Sequence, residues 1–345
     1  MIELLKLIRI VGFKHMLRLK RASELSGNIN RGFFATRTIN TLFNIGFFDE
    51  FAENKEVNID SFSMEKNLDT RILRLLCDYL YSLKLLEKEG SNYSLSYKGK
   101  LLTEIGRGAF DGIYAYEDVF YYLEPLLKME KKYGRDIIRK SEFVAKGSGE
   151  LAKLLPFPMV IDIVRKGNFK RILDLGCGDA TFLISLCKSD PALKGYGVDI
   201  SPQVIANGQK KLKENNLENR VSLFEGDIFE IEKMANQLED TDVATSFFVL
   251  HEFLSEGSEK VMEFLVEFRR IFKDVPLIIS EITRQTPEEL RKKPTLILEH
   301  HLFHDLSNQG EITREEWKEV FKKADFHSIK EEYVDFAKMG IYTIC

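Results

Sequence analysis

The stretch that most constrains this chain is 171–182, Arg-Ile-Leu-Asp-Leu-Gly-Cys-Gly-Asp-Ala-Thr-Phe. Ile172, Leu173 and Leu175 are apolar at both parities, which suits a strand buried on both faces. Gly176 and Gly178 then let the backbone turn tightly into a following helix. A strand that hands over to a helix in this way belongs to a parallel sheet. The texture repeats downstream: KGYGVDIS (194–201), VSLFEGDIFE (221–230), DVATSFFVLHEF (242–253) and VPLIISEI (275–282) read as four more strands, with helical runs such as PQVIANGQKKLKENN between them. The expectation is an α/β fold, a doubly wound parallel sheet. The tail HSIKEEYVDFAKMGIYTIC adds two last strands, a C-terminal antiparallel hairpin with its turn at Lys338-Met339-Gly340.

This sheet starts only near residue 167, and a chain of 345 residues exceeds one typical core. Up to about residue 100 the pattern is helical. RTINTLFNIGFFDEF is one run ending near Gly46, and residues 60–90 give helix, turn and a longer helix with Ile72, Leu75, Leu76, Tyr79 and Leu80 at helical spacing. Two short strands about Gly-Ser-Asn follow, so 1–100 reads as a helical winged-helix domain. The putting together of a DNA-binding site is disfavoured there, because the recognition helix mixes acids with bases and the whole chain has 50 basic against 54 acidic residues, net −4. A winged-helix transcription factor with a vestigial second domain is the reading this balance argues against; a gel shift at varied salt tests it. Dimerisation is the expected role, with the apolar and basic segment MIELLKLIRIVGFKHMLRLKRA covering a partner subunit. Its Glu3, Lys6, Arg9 and Lys14 interrupt it too often for a signal peptide. No run of 18 apolar residues spans a bilayer. Four cysteines without a CxxC read as reduced, cytoplasmic thiols. Residues 101–166 form a helical linker and substrate-pocket segment with the aromatic cluster FDGIYAYEDVFYYLEPLL, and 167–345 is the catalytic domain.

Ligands of an open α/β sheet lie beyond the carboxyl ends of its strands. Gly176 and Gly178 permit close backbone approach there, with a helix N-terminus behind them. Asp199 closes the second strand, 25 residues after Asp174, where a carboxylate can accept from both hydroxyls of a ribose. Thr181 stands where a dinucleotide fingerprint has its third glycine, and Asp174 precedes the turn, within reach of the cationic end of S-adenosylmethionine. Asp227, in EGDIF, can serve an adenine amino group.

Over about 165–345 these residues resemble the class I S-adenosylmethionine-dependent methyltransferases. The resemblance implies a Rossmann-like class I methyltransferase sheet. It also implies Asp174, Gly176 and Gly178 around the methionine part, Asp199-Ile200 on the ribose, and Asp227-Ile228 at the adenine. Ala180 replaces the last glycine of the family's DxGxGxG. With its winged-helix start and the tail GEITREEWKEVFKKADF, the whole chain resembles the small-molecule O-methyltransferases, whose N-terminal domain makes a homodimer.

Three of the six histidines crowd into ILEHHLFHDL. His251, at the fourth strand's carboxyl end, is placed for the transferred methyl group, and His304 lies about 50 residues on. Two histidines with oxygen ligands suit a mononuclear Fe, Mn or Zn site with open positions. Together with YGRDIIR, VAKGSG and Phe157-Pro158, this pairing resembles the metal-dependent 2-oxo-acid C-methyltransferases, the 2-ketoarginine and phenylpyruvate enzymes. That resemblance implies methylation of the β-carbon of a 2-oxo acid in secondary metabolism, His251 and His304 as metal ligands, and Arg135 on the substrate carboxylate. Gln309 is the third candidate ligand, with Asp305 as its alternative, and His300 and His301 read as helix surface or as support. The competing reading is a metal-free O-methyltransferase in which His251, oriented by Glu281 or Glu252, is the general base. Neither reading gives nucleic acid or membrane a part.

Overall fold

The computed structural model describes residues 2–255, 257–292, 295 and 297–345. The chain divides into two compact units, Met1–Phe110 and Asp111–Cys345, ten residues later than the first expected boundary at 100. The later division has a local cause. Helix Tyr97–Ile105 lies against the hairpin before it, and a Cβ on Gly99 would come within 2.1 Å of the Leu85 carbonyl oxygen. Only a glycine permits that approach, so the helix stays with the first unit.

In the first unit, helix Phe13–Asn44 is far longer than the sequence run ending at Gly46 suggests. Only its last turns, with Ile39, Leu42 and Phe43, enter a core with Phe47, Ile59, Phe62, Leu73, Leu80 and Tyr93. Phe13, Ile29, Phe33 and Phe34 stay exposed along its earlier part. Helices Ile59–Glu65 and Thr70–Ser82 start where side-chain oxygens satisfy their first amides, Asn58 taking Asp60 and Ser61, and Asp69 taking Ile72. The hairpin β2 (Leu86–Glu89) and β3 (Asn92–Leu95) is joined by β1 (Glu56–Asn58), a three-residue strand pairing antiparallel with β3. This is the winged-helix arrangement, with one strand more than the sequence reveals.

The second unit is built on seven strands in the order β6-β5-β4-β7-β8-β10-β9. They are β4 (Arg171–Leu175), β5 (Lys194–Asp199), β6 (Val221–Glu225), β7 (Val243–Phe247), β8 (Leu277–Ile282), β9 (Ile329–Val334) and β10 (Met339–Ile344). The first five run parallel, and β10 enters antiparallel between β8 and β9, which makes the expected C-terminal antiparallel hairpin. The final turn falls at Asp335–Lys338, so Met339 and Gly340, expected in it, already pair with β8 and β9. One sheet face packs Leu173, Val198, Phe264, Phe268, Trp317 and Phe321, the other Ile172, Val160, Phe182, Leu183 and Ile341. Helix Pro156–Lys166 sends Phe157 against Phe182 and Phe247, at ring distances of 5.1 and 4.9 Å. The unit's helical lead-in therefore forms a wall over the strand ends. Among the described residues no helix is long and apolar enough to cross a membrane.

Candidate active site

A cleft of about 440 Å³ opens at the carboxyl ends of β4, β5, β6 and β7. Asp174, Gly176, Gly178, Asp199, Ile200, Asp227 and Ile228, all singled out in the sequence, line it together. Neighbouring parallel strands end there in register: Asp174 pairs with Thr245 and with Gly197. Asp174 is buried, and Thr245 Oγ1 donates to its Oδ1 at 2.8 Å. Burial pushes its carboxyl up to about 8, against the Thr245 bond and with help from the nearby Asp199 charge.

The glycine turn is fixed before any ligand arrives. Gly176 and Cys177 donate their amides to the Val198 carbonyl at 2.8 and 3.0 Å. Gly178 donates to Asp199 Oδ2 at 2.9 Å, while Ser201 donates to Oδ1 at 2.9 Å. Gly176 has φ of 71°, and a Cβ there would meet Val249 Cγ2 at 2.4 Å. Ala180, which replaces the last glycine of the motif, keeps φ at 62°, a left-handed conformation costing an L-residue about 1–2 kcal/mol. Asp227 accepts from the Phe229 amide at 2.9 Å and so holds the Ile228 backbone at the rim.

Opposite this half lie Arg139, Phe157, Phe248, Glu252 and Phe253. Arg139 Nη2 donates to Glu252 Oε1 at 2.7 Å, and its Nη1 to the Tyr116 hydroxyl at 3.2 Å. Arg135 corrects the sequence expectation. It does not line the cleft, its side chain is 70% exposed, and its guanidinium is spent on its neighbour Asp136. Arg139, four residues on in YGRDIIR, lines the cleft instead.

Beside the cleft the histidines come together. His251 is buried, and its Nδ1 lies 2.8 Å from Glu281 Oε2. Glu281 Oε1 accepts the amides of Val249 and Leu250 at 3.1 and 2.8 Å, so one buried carboxylate holds both the loop and the imidazole. Burial alone would lower the His251 pKa; the Glu281 charge outweighs it, and the value is raised. The ring of His304 lies 4.9 Å from that of His251, and His304 Nδ1 bonds the His300 carbonyl at 2.8 Å. Burial first, then the adjacent His300 and His251, push His304 down to about 2, so it stays neutral. Each ring is thus tied through Nδ1, which leaves Nε2 as the lone-pair nitrogen.

His300 and His301 are not helix surface. His300 stacks on His304 at 3.8 Å, and His301 is buried with Nδ1 against Glu311 Oε2. Asp305 is held by both Arg284 nitrogens at 2.9 and 2.7 Å. Gln309 is buried, with its Oε1 accepting from Tyr116 and Ser307 hydroxyls at 2.9 and 3.0 Å and its Nε2 without a partner. The carboxylate closest to the histidines is Glu311, which sequence reading passed over.

A family model described as a methyltransferase domain matches residues 167–325. The methyltransferase ungE' of Aspergillus campestris is 21% identical over 327 residues, covering 89% of this chain and 92% of its own. The 2-ketoarginine methyltransferase of Streptomyces arginensis is 23% identical over 312 residues, covering 88% and 89%. Among solved structures, human N-acetylserotonin methyltransferase in complex with S-adenosylmethionine superposes with a TM-score of 0.67 at 16% identity, covering 94% of this chain and 97% of that one. An O-methyltransferase family protein from Burkholderia thailandensis gives 0.63 at 18%, covering 94% and 97%. These two likenesses carry the fold. With the domain match and the curated relatives, they fit the cleft: the protein is an S-adenosylmethionine-dependent methyltransferase.

Proposed function

We propose that this methyltransferase acts on a small molecule, moving the methyl group to the β-carbon of a 2-oxo acid, with a metal ion held at the histidine cluster. The observation that carries the reading is the donor set beside the cleft. His304 is buried and neutral, and the His300 and Glu311 side chains beside it each leave a buried polar atom without a hydrogen bond. One donor atom each from His300, His304 and Glu311 lie within 4.8 Å of one another. That set fits a divalent or ferric ion of the Fe, Mn or Zn type, and the resemblance to the 2-oxo-acid enzymes names His304 from it together with His251 beside it.

The carbon beside a ketone is a poor nucleophile until a proton leaves and the oxygen's charge is stabilised. A bound ion supplies Lewis-acid stabilisation of that oxygen. The protein's own groups supply the rest. His251 is held through Nδ1 by Glu281, which leaves Nε2 for a single task, ligand of the ion in that pair or acceptor of the proton. Arg139 offers its guanidinium to the substrate carboxylate in place of Arg135, from a seat over the Tyr116 ring at 6.0 Å. Asp174, Asp199 and Asp227 hold S-adenosylmethionine so that its methyl faces the His251 side, and alignment supplies much of the acceleration. The 23% identity to the 2-ketoarginine enzyme supports the substrate class. The reading further assigns the protein to cytoplasmic secondary-metabolite biosynthesis as a homodimer, with no nucleic-acid or membrane partner.

The His251–Glu281 pair at 2.8 Å also favours the second reading, a metal-free O-methyltransferase with His251 as general base. The experiment that separates them follows a labelled methyl group into phenylpyruvate and 2-ketoarginine with and without chelator. Carbon methylation that stops when metal is stripped is the expected result. Oxygen methylation undiminished in excess chelator would sink the metal reading.

A further inference from the structure

The Glu311 side chain is only 1% exposed, although it comes from the short connection after the histidine helix rather than from the helix itself. An enclosed carboxylate is stable only where donors or cations face it. One oxygen is served: Oε2 meets His301 Nδ1, with Arg284 Nη1 at 3.6 Å. His301 is then used up, because its Nε2 accepts the Gln285 amide at 3.1 Å. It orients the carboxylate and has no lone pair left for a ligand. The other oxygen is different. Oε1 sits 2.6 Å from His300 Nδ1 without the alignment of a hydrogen bond, and neither atom has another partner. His300 in turn stacks face to face on His304. Three donors of ligand type therefore converge, two of them with unused capacity; His251, held through Nδ1 by Glu281, is not in that group.

We propose that Glu311 is the anionic ligand of a His300–His304–Glu311 metal site, with His251 outside the coordination sphere as the proton-handling imidazole. This rests on the metal-dependent reading above and revises its ligand pair. Two imidazoles and one carboxylate leave positions open for the two oxygens of a chelating substrate. Metal–ligand bonds of about 2.0–2.2 Å set donors roughly 3 Å apart, so a spread of 4.8 Å closes with small side-chain rotations. The His301–Glu311 contact corresponds to the outer support that fixes a ligand's orientation.

The test is Co²⁺ binding to the full-length protein after chelator treatment, read by metal content, calorimetry and the visible cobalt spectrum. S-adenosylhomocysteine binding serves as the control for folding. Wild type takes one Co²⁺ per chain. Glu311→Gln, His304→Ala and His300→Ala each weaken it about 100-fold or more, on the scale of lost ligands and their supports. His251→Ala stays within about threefold while losing methyl transfer. Should Glu311→Gln fail to bind S-adenosylhomocysteine, His300→Ala decides, since the His251–His304 pair does not use that ring. Wild-type Co²⁺ affinity in folded Glu311→Gln or in His300→Ala overturns this ligand set, and loss in His251→Ala would then restore the original pair. A wild type that binds no Co²⁺, Mn²⁺, Fe²⁺ or Zn²⁺ overturns both the set and the metal reading.

Discussion

Asp174 gives the cofactor site a pH dependence that can be worked out in advance. Its carboxyl sits at about 8 in the free protein because it is buried with one hydroxyl donor and a like charge nearby. In the proposed placement it faces the ammonium end of the cofactor, and there it must lose that proton. Affinity should therefore rise about tenfold per pH unit while the group is protonated, and level off above its pKa. Between about pH 6.5 and 8.5 the gain is roughly 25-fold, or about 1.9 kcal/mol. The sign is opposite to that of an ordinary ion-paired aspartate. A raised carboxyl binds its proton more tightly when folded, so the same group makes the free protein less stable as pH climbs from the usual carboxylate range toward 8. The assay is calorimetry with S-adenosylhomocysteine, which carries the same amino-acid end and does not react. Repeating it in buffers of different ionisation enthalpy should show close to one proton released at the acid end. Asp174→Asn holds the group neutral: it should bind more weakly than wild type throughout, by more than about 25-fold near pH 8.5, with the slope lost. Asp199, whose carboxyl is also raised by burial, stays in that variant and reveals any share of its own. A wild-type affinity that is flat across this range would refute the reasoning.

Arg139→Ala should raise KM for a 2-oxo acid by about 100-fold, the scale of a lost charge-assisted bond, and leave S-adenosylhomocysteine affinity within a few-fold. Arg135→Ala should leave kinetics and stability unchanged, as an exposed pair with Asp136 contributes little; the opposite ranking would return the carboxylate to Arg135. Light scattering at micromolar concentration should find a dimer, and Phe33→Glu with Phe34→Glu should shift it toward monomer, because these exposed rings stand on the long helix without a core of their own. An unchanged dimer would place the interface elsewhere.

The central strands were legible because β4, β7 and β8 are buried on both faces and write apolar runs, and because Asp174 and Asp199 stand at strand ends, where the fold always puts ligands. Strand β1 was not legible, since three residues of alternating burial carry no period. Nor was the reach of helix Phe13–Asn44, which contains Gly27 and Gly32 and buries nothing before Thr38. The choice between Arg135 and Arg139 turns on which one the Tyr116 ring and Glu252 receive, a contact made across 113 residues of chain. Glu311 gave no signal because its meaning depends on a backbone turn after Gln309 that returns it to the helix it has just left. Tyr116 and Gln309, 193 residues apart, are joined by a bond no local pattern announces.

Glu281 takes two amide protons from the β7 exit loop and faces the His251 imidazole with its other oxygen. Whatever happens to the charge on that ring is passed through the three atoms of the carboxylate to the Val249 and Leu250 N–H groups. Those two amides are therefore a built-in spectroscopic reporter. Their proton chemical shifts should move together as His251 gains or loses its proton, giving the ring's titration without observing the ring. They also sit beside Gly176, whose missing side chain makes room for Val249, so the same two signals should respond when a ligand enters the glycine turn. One internal acid thus makes proton state and ligand arrival readable from a single pair of peaks.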